Sequence, residues 1–295
     1  MKIRLLSGSC YVALLIAFFC LKIFVNDYCF DALVYAFALL GTFEMLRANK
    51  EKTTKAEKGL VYAFTLATIP AVALCEGFLG KGLLALVVCL LVVFVALISL
   101  FVLKYEQTSI ESIGVAMLCA VYPTVFLALL SLVNHAAAPQ TLSEIAFDSR
   151  LLILFIFVIS PCADSIAYVF GRYLKKYFPK KMSPSISPNK TVVGGIGGLV
   201  GGVLGAAILY FAYNAITGSY ADMGIWLPVY LAIGLLVSIV TAFGDLVESA
   251  IKRKLDIKDM GKIMPGHGGA LDRLDGVLFA TATVYLAYIL VRLFV

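Results

Sequence analysis

The sequence predicts an all-α polytopic membrane protein of about nine transmembrane helices. Two observations carry that prediction. Hydrophobic residues make up 62% of the 295 positions and charged residues only 14%, whereas a soluble domain is about half apolar and a quarter charged. The charges, moreover, gather between apolar runs long enough to cross a bilayer, which takes about 20 residues. The net charge of +6 is modest and its bases sit at loops, so composition gives no case for a nucleic-acid partner. Seven cysteines (10, 20, 29, 75, 89, 119 and 162) fall mostly in apolar runs and form no CxxC pair. They read as small buried hydrophobes rather than disulfides or metal ligands.

The candidate spans are 8–25, 29–46, 59–78, 82–103, 113–133, 151–171, 194–216, 226–248 and 276–294. Met1-Lys-Ile-Arg4 before an apolar run has the outline of a signal peptide. Ser7-Gly8-Ser9 interrupts that run and no small-x-small cleavage site follows, so it reads as a retained first span. The first two spans are short and close together, as in a helical hairpin. Bases recur in alternate loops: Lys2 and Arg4; Arg47 to Lys58; Arg172 to Lys190; Lys252 to Arg273. The stretches 134–148 and 218–224 carry no Lys or Arg. This alternation predicts a cytoplasmic N-terminus, an outside C-terminus and an odd number of spans. No loop is long enough to bury a core of its own, so chemistry belongs to the bundle or its cytoplasmic face. Residues 1–147 read as N-terminal transmembrane helices with structural, dimer or lipid-facing roles, and 148–295 as a C-terminal catalytic region. In the first part, Asp31 and Glu44 stand near the two ends of span two, where water is expected, and no chemistry is read there.

The second part holds polar residues that a bilayer disfavours. A carboxylate inside a span needs a partner, water or a cavity. Asp164, Tyr168, Gly171 and Arg172 share one helical face, which reads as functional rather than as a mere Asp–Arg pair. In 183–191 two Ser-Pro steps keep the backbone extended. Lys190 and Thr191 then precede span seven, where a base, a hydroxyl and exposed N–H groups suit an anion, although a solvated loop lysine is an equal reading. Gly194, Gly195, Gly197, Gly198, Gly201 and Gly202 lack the GxxxxGK[ST] order and a preceding strand, so they read as close helix packing. Asp245, Ser249 and Lys252 again share one face, with Glu248 beside it. Pro265-Gly-His267-Gly-Gly269 gives a backbone able to approach a ligand, and leaves His267 exposed. Asp272 and Asp275 open span nine around Arg273, a position where acids also simply favour a helix start. Three spans thus bring acids and bases to one membrane face. Clustered Asp oxygens favour a hard cation such as Mg²⁺, and Lys and Arg favour phosphate oxygens. That combination suggests phosphoryl or nucleotidyl transfer. There is no Cys/His zinc set, HExxH or GxSxG.

The run Ser249-x-Ile251-Lys252-Arg253-x4-Lys258-Asp259-x-Gly261-x2-Met264-Pro265-Gly266-His267-Gly268-Gly269-x-Leu271-Asp272-Arg273-Leu274-Asp275 closely resembles the signature of the phosphatidate cytidylyltransferases, or CDP-diacylglycerol synthases. The resemblance continues upstream in Asp164-Ser-x-Ala-Tyr168-x-x-Gly171-Arg172, Ser187-Pro188-x-Lys190-Thr191 and Gly244-Asp245-x-x-Glu248-Ser249. It covers about residues 150–295 by motif and the rest by hydropathy. Val193 departs from it, where many members carry Glu, and so does Ala270, where a larger apolar residue is usual. The resemblance implies condensation of CTP with phosphatidate to CDP-diacylglycerol and pyrophosphate, the first committed step of phospholipid synthesis. It implies a bacterial inner membrane protein of nine spans, a homodimer in the lipid bilayer, with its active site facing the cytoplasm. Asp245 and Asp272 resemble the family's metal-binding acids, with Ser249 next in that shell. They would hold Mg²⁺, and the family implies a second cation, monovalent such as K⁺. Lys252, Arg253, Lys190 and Arg172 would hold the triphosphate and the lipid phosphate. Asp164 and Asp275 would orient those bases or the second ion. Ser187, Lys258 and His267 complete the phosphate-binding candidates.

Cytidylyl transfer to another lipid phosphate, such as an isoprenoid one, follows the same headgroup logic. A cation-coupled transporter predicts midplane charges and paired broken helices. Neither is visible. A membrane scaffold whose acids only pair bases predicts no turnover.

Overall fold

The computed structural model describes residues 2–136, 148–218, 222–264, 266 and 268–294. Among these, nine helices are long and apolar enough to cross a membrane. They are α1 (Lys2–Phe24), α2 (Asp27–Ala48), α3 (Lys55–Leu79), α4 (Gly82–Leu103), α5 (Ile110–Asn134), α6 (Ser149–Tyr173), α7 (Val192–Thr217), α8 (Met223–Lys254) and α9 (Leu271–Phe294). Every predicted span is present. The further element among the described residues is a two-stranded antiparallel hairpin, β1 (Lys181–Ser183) and β2 (Ser187–Thr191).

Helices suit a bilayer because each satisfies its own backbone groups, and their free first N–H groups need caps. Asn26, Thr54, Ser109, Asp148 and Thr191 each cap a helix with a side-chain oxygen. Thr54 with Glu57 and Ser109 with Ser112 form reciprocal capping boxes.

The chain forms two compact units. The first comprises Met1–His135 and Leu255–Leu274. Within it α2 is the most enclosed helix, and its interior positions Phe30, Val34, Ala38 and Met45 are almost wholly buried. Thr42 of α2, Thr65 of α3 and Thr124 of α5 join their hydroxyls in a fully buried triangle at 2.8–3.3 Å. Thr124 lies in a π-helical turn, Val121–Val125, which contains Pro123. Proline removes an amide donor, and a π turn is one way for a helix to absorb it.

Asp31 and Glu44 of α2 are not at water. Asp31 and Glu44 are 6% and 0% exposed. Asp31 accepts from Ser131 Oγ at 2.7 Å and pairs with His135 Nε2 at 2.6 Å. Beside it Lys22 binds Asp27 and donates to the Asn134 carbonyl. The expectation of hydrated ends fails because α2 is packed on several sides, so its ends are covered too.

The second unit comprises Ala136–Lys254 and Asp275–Val295. Its centre is α7, whose glycines serve two neighbours. A Cβ at Gly197 would stand 2.6 Å from Phe170 Cβ, and one at Gly201 2.6 Å from the Cys162 carbonyl oxygen, both on α6. On the other side a Cβ at Gly202 would meet the Gly234 carbonyl oxygen of α8 at 2.7 Å. The stripe is therefore a packing surface, as the spacing predicts. Tyr230 of α8 packs between Phe155 and Tyr210 with ring centroids 4.9 and 5.2 Å away.

Candidate functional site

The hairpin explains how loop residues reach α8. The expected extended backbone holds for Ser183 and for 187–191 but is broken by a turn at 184–186, across which β1 and β2 pair Lys181 with Thr191 and Ser183 with Ser187. Ser187 is thus a half-buried hairpin residue. Thr191 turns the chain into α7 by accepting from the Gly194 amide at 3.1 Å. Lys190, one residue earlier, extends to α8. Its Nζ lies 2.5 Å from Asp245 Oδ2 and 3.4 Å from the Ala242 carbonyl oxygen. Arg253 Nε donates to the Ile186 carbonyl at 3.3 Å, fixing the other side of the hairpin to the end of the same helix.

Along α8 the spacing read from the sequence holds. Ser249 Oγ donates to Asp245 Oδ1 at 3.3 Å. One turn on, Lys252 Nζ donates to Glu248 Oε2 at 3.1 Å. Glu248 is fully buried. It shares a side-chain hydrogen bond with Asp275 of α9, and the charges of Asp245 and Lys252 also act on Asp275. A close fit brings these helices together: a Cβ at Gly244 would stand 2.7 Å from the Asp275 carbonyl oxygen. The second unit therefore gathers Lys190, Asp245, Glu248, Ser249, Lys252 and Asp275. Glu248 is the member that sequence reasoning left aside. Its signal was present, since an acid four residues before a lysine inside a span has a helical partner.

Asp164 and Arg172 are exposed on α6. Arg172 Nη1 donates to Tyr168 Oη at 2.8 Å and its guanidinium lies 5.9 Å from that ring's centroid. Arg172 thus pairs with the tyrosine of the shared face.

Asp272 belongs to the first unit. The segment before it folds back on itself through a Met264–Gly268 bridge, with Gly266 at φ 78° and Gly268 at φ 89°. Such angles favour glycine. A Cβ on Gly268 would also lie 2.7 Å from Asp272 Oδ2. That oxygen accepts from the Met260 and Gly269 amides, both at 2.8 Å. Asp272 is 8% exposed, so its first task is to close this loop. The loop has a second clasp that the sequence reading missed. Glu44 of α2 accepts from the Ala270 amide through Oε1 and from the Leu271 amide through Oε2, both at 2.9 Å. Lys258 is exposed on the same segment. His267 and Pro265 lie outside the described residues.

The donors of the second unit fit a hard cation. Asp245, Ser249 and Asp275 offer only carboxylate and hydroxyl oxygens, and a lysine ammonium already lies against Asp245. No three His, Cys, Asp or Glu side chains gather into a metal cage among the described residues. Mg²⁺ needs no such cage, because it usually keeps waters and substrate phosphates.

Fold and site together define a polytopic membrane protein with clustered acids and bases suited to phosphate chemistry. A sequence model of the cytidylyltransferase family matches residues 3–291. The chain belongs to that family. The phosphatidate cytidylyltransferase of Bacillus subtilis (strain 168) is 31% identical over 285 residues, 97% of this chain and 96% of the relative. Shorter matches join it to proteins of the same name. That of Staphylococcus haemolyticus (strain JCSC1435) is 39% identical over 132 residues, 45% of this chain and 46% of its own. That of Staphylococcus aureus (strain COL) is 43% identical over 129 residues, 43% of this chain and 45% of its own.

Proposed function

We propose that this chain is a phosphatidate cytidylyltransferase, condensing CTP with phosphatidate to CDP-diacylglycerol and pyrophosphate. The reading rests on one observation above others. In a chain that matches this family from end to end, a lysine from the hairpin and an acid–hydroxyl pair from α8 converge.

The phosphatidate oxygen is already an anion, so no activated serine or cysteine is needed. It bonds to the α-phosphorus of CTP, the bond to the β-phosphate bridging oxygen breaks, and pyrophosphate leaves with that electron pair. The residues contribute alignment and charge. Lys190 exchanges Asp245 for a phosphate oxygen, while Lys252 and Arg253 receive the rest of the triphosphate or the lipid phosphate. Arg172 is a further phosphate candidate, as are Ser187, Lys258 and His267. Glu248 holds Lys252 in place, and Asp164 and Asp275 orient the bases. Asp245 and Ser249 would hold Mg²⁺, with Asp272 as the second acid that the family resemblance names; a monovalent ion such as K⁺ is the further candidate. A divalent ion held there would neutralise part of the triphosphate charge. Basic loops alternating with base-poor ones support a cytoplasmic active site in a bacterial inner membrane. A homodimer is the assembly we propose, with the acyl chains left in the bilayer.

The test is conversion of radiolabelled CTP to a lipid-extractable product by purified protein with phosphatidate and Mg²⁺. We expect product from wild type and a loss of at least about a hundredfold in Asp245→Asn. Product formed with an isoprenoid phosphate and not with phosphatidate would overturn the substrate. No product from folded protein with either lipid would overturn the reaction.

A further inference from the structure

We infer that Glu44, in the half of the sequence that carries no motif, is a positioning residue for Asp272. It grips the Leu255–Leu274 segment at the point where that segment becomes α9. Three observations on the first unit meet here. Glu44 is wholly buried, and each carboxylate oxygen accepts one amide from the first residues at the helix start, Ala270 and Leu271. Gly261 and Gly269 leave it room, since a Cβ at either would collide with the Glu44 carboxylate. Asp272 binds the same short stretch from its other side, through the amides of Met260 and Gly269. Three successive amides, 269 to 271, are therefore held by two carboxylates. Fixing the amides of 270 and 271 sets the first turn of α9 and with it the direction of the Asp272 side chain.

A carboxylate is suited to this task because it offers acceptors on both oxygens and carries no donor. Glutamine matches its size yet turns an NH₂ towards a backbone N–H, which leaves two buried donors facing each other. Aspartate keeps the charge and is one methylene too short to span both amides. Glu44 touches no reacting atom on this account and acts through the loop.

The catalytic consequence rests on the proposed cytidylyl transfer, whereas the structural grip does not. The experiment separates them. Hydrogen exchange on metal-free protein in detergent follows the amides of 270 and 271 in wild type and Glu44→Ala. We expect protection there to fall at least about tenfold, with α3 and α7 unchanged. Turnover in Glu44→Gln and Glu44→Asp should fall at least about tenfold in kcat. The Mg²⁺ concentration for half-maximal rate should rise, with the KM for phosphatidate unaltered. Gly261→Ala should be damaging alone and less so beside Glu44→Ala, because the colliding carboxylate is then gone. Unchanged protection at 270 and 271 would overturn the inference. So would turnover in both conservative variants that falls only in proportion to the folded fraction, which is what a purely structural role gives. A wild type without turnover would sink the proposed reaction and leave exchange to decide the grip.

Discussion

Asp245 has an ammonium on one oxygen and a hydroxyl on the other, so removing its charge alters more than one contact. In Asp245→Asn the Lys190 ammonium loses its counter-charge. We expect a transition-state loss of about 3 kcal/mol or more, roughly a hundredfold in rate. Lys190→Gln separates binding from chemistry. Its loss should raise the KM for CTP about tenfold, equivalent to about 1.4 kcal/mol; an unaltered KM in a steady-state assay would remove Lys190 from the triphosphate. Gly268→Ala meets two obstacles, a φ of 89° and Asp272 Oδ2 at 2.7 Å from the new methyl. Backbone strain alone is worth about 1–3 kcal/mol, and the lowered thermal stability would be read in detergent. At this scale helical spacing revealed which side chains of α8 share a face. It did not reveal what Lys190 touches, because that depends on a hairpin pairing across a three-residue turn. Nor did it reveal that Asp272 and Glu44 are spent on backbone amides, since amide positions in a glycine-rich loop leave no periodic trace.

The glycines of α7 are a periodic signal, and here sequence and structure agree. Two substitutions separate close packing from mere smallness. Gly201→Val drives a side chain against the Cys162 carbonyl and the Ala163 Cα, both backbone atoms that cannot step aside. Gly198→Ala places its methyl 3.5 Å from Ala167 Cβ and 3.7 Å from the Ala163 carbonyl, ordinary contact distances. We expect Gly201→Val to lose about 1–3 kcal/mol through overpacking and Gly198→Ala to unfold near the wild-type temperature. Equal unfolding temperatures would contradict the packing role. The hairpin shows the opposite case. Proline chemistry foretold extended backbone, but extended chain becomes a strand only when a partner pairs with it, and three turn residues say little about that.

Across the whole molecule the hydrophobic runs were the clearest text, because a bilayer imposes length and apolarity on each span separately. All nine are helices, with ends shifted by a few residues where caps extend them. The membrane orientation is testable on its own. In a background with the native cysteines replaced, Asp222→Cys should react with an impermeant maleimide in intact cells, and Lys180→Cys should react only after lysis. The reverse pattern would invert the proposed topology. The buried acids of α2 were the costliest misreading. A span's end counts as wet only if nothing else covers it, and coverage comes from segments distant in sequence.

The π turn of α5 bears on how the chain tolerates a change of length. Ser112 donates to Glu57 and Thr124 bonds Thr65, so both side chains face α3. They are twelve residues apart. At about 100° per residue an unbroken α-helix would misalign them by about 120°. A π turn accommodates one surplus residue and brings that offset down to about 20°. Deleting Pro123, the residue of 121–125 that a plain α-helix tolerates least, should therefore let α5 run as α-helix with Ser112 and Thr124 in phase. A one-residue deletion at Leu118 would add to the rotation unless the π turn annealed. A single lost codon, ordinarily ruinous inside a transmembrane helix, has one place in this chain where the helix can simply heal.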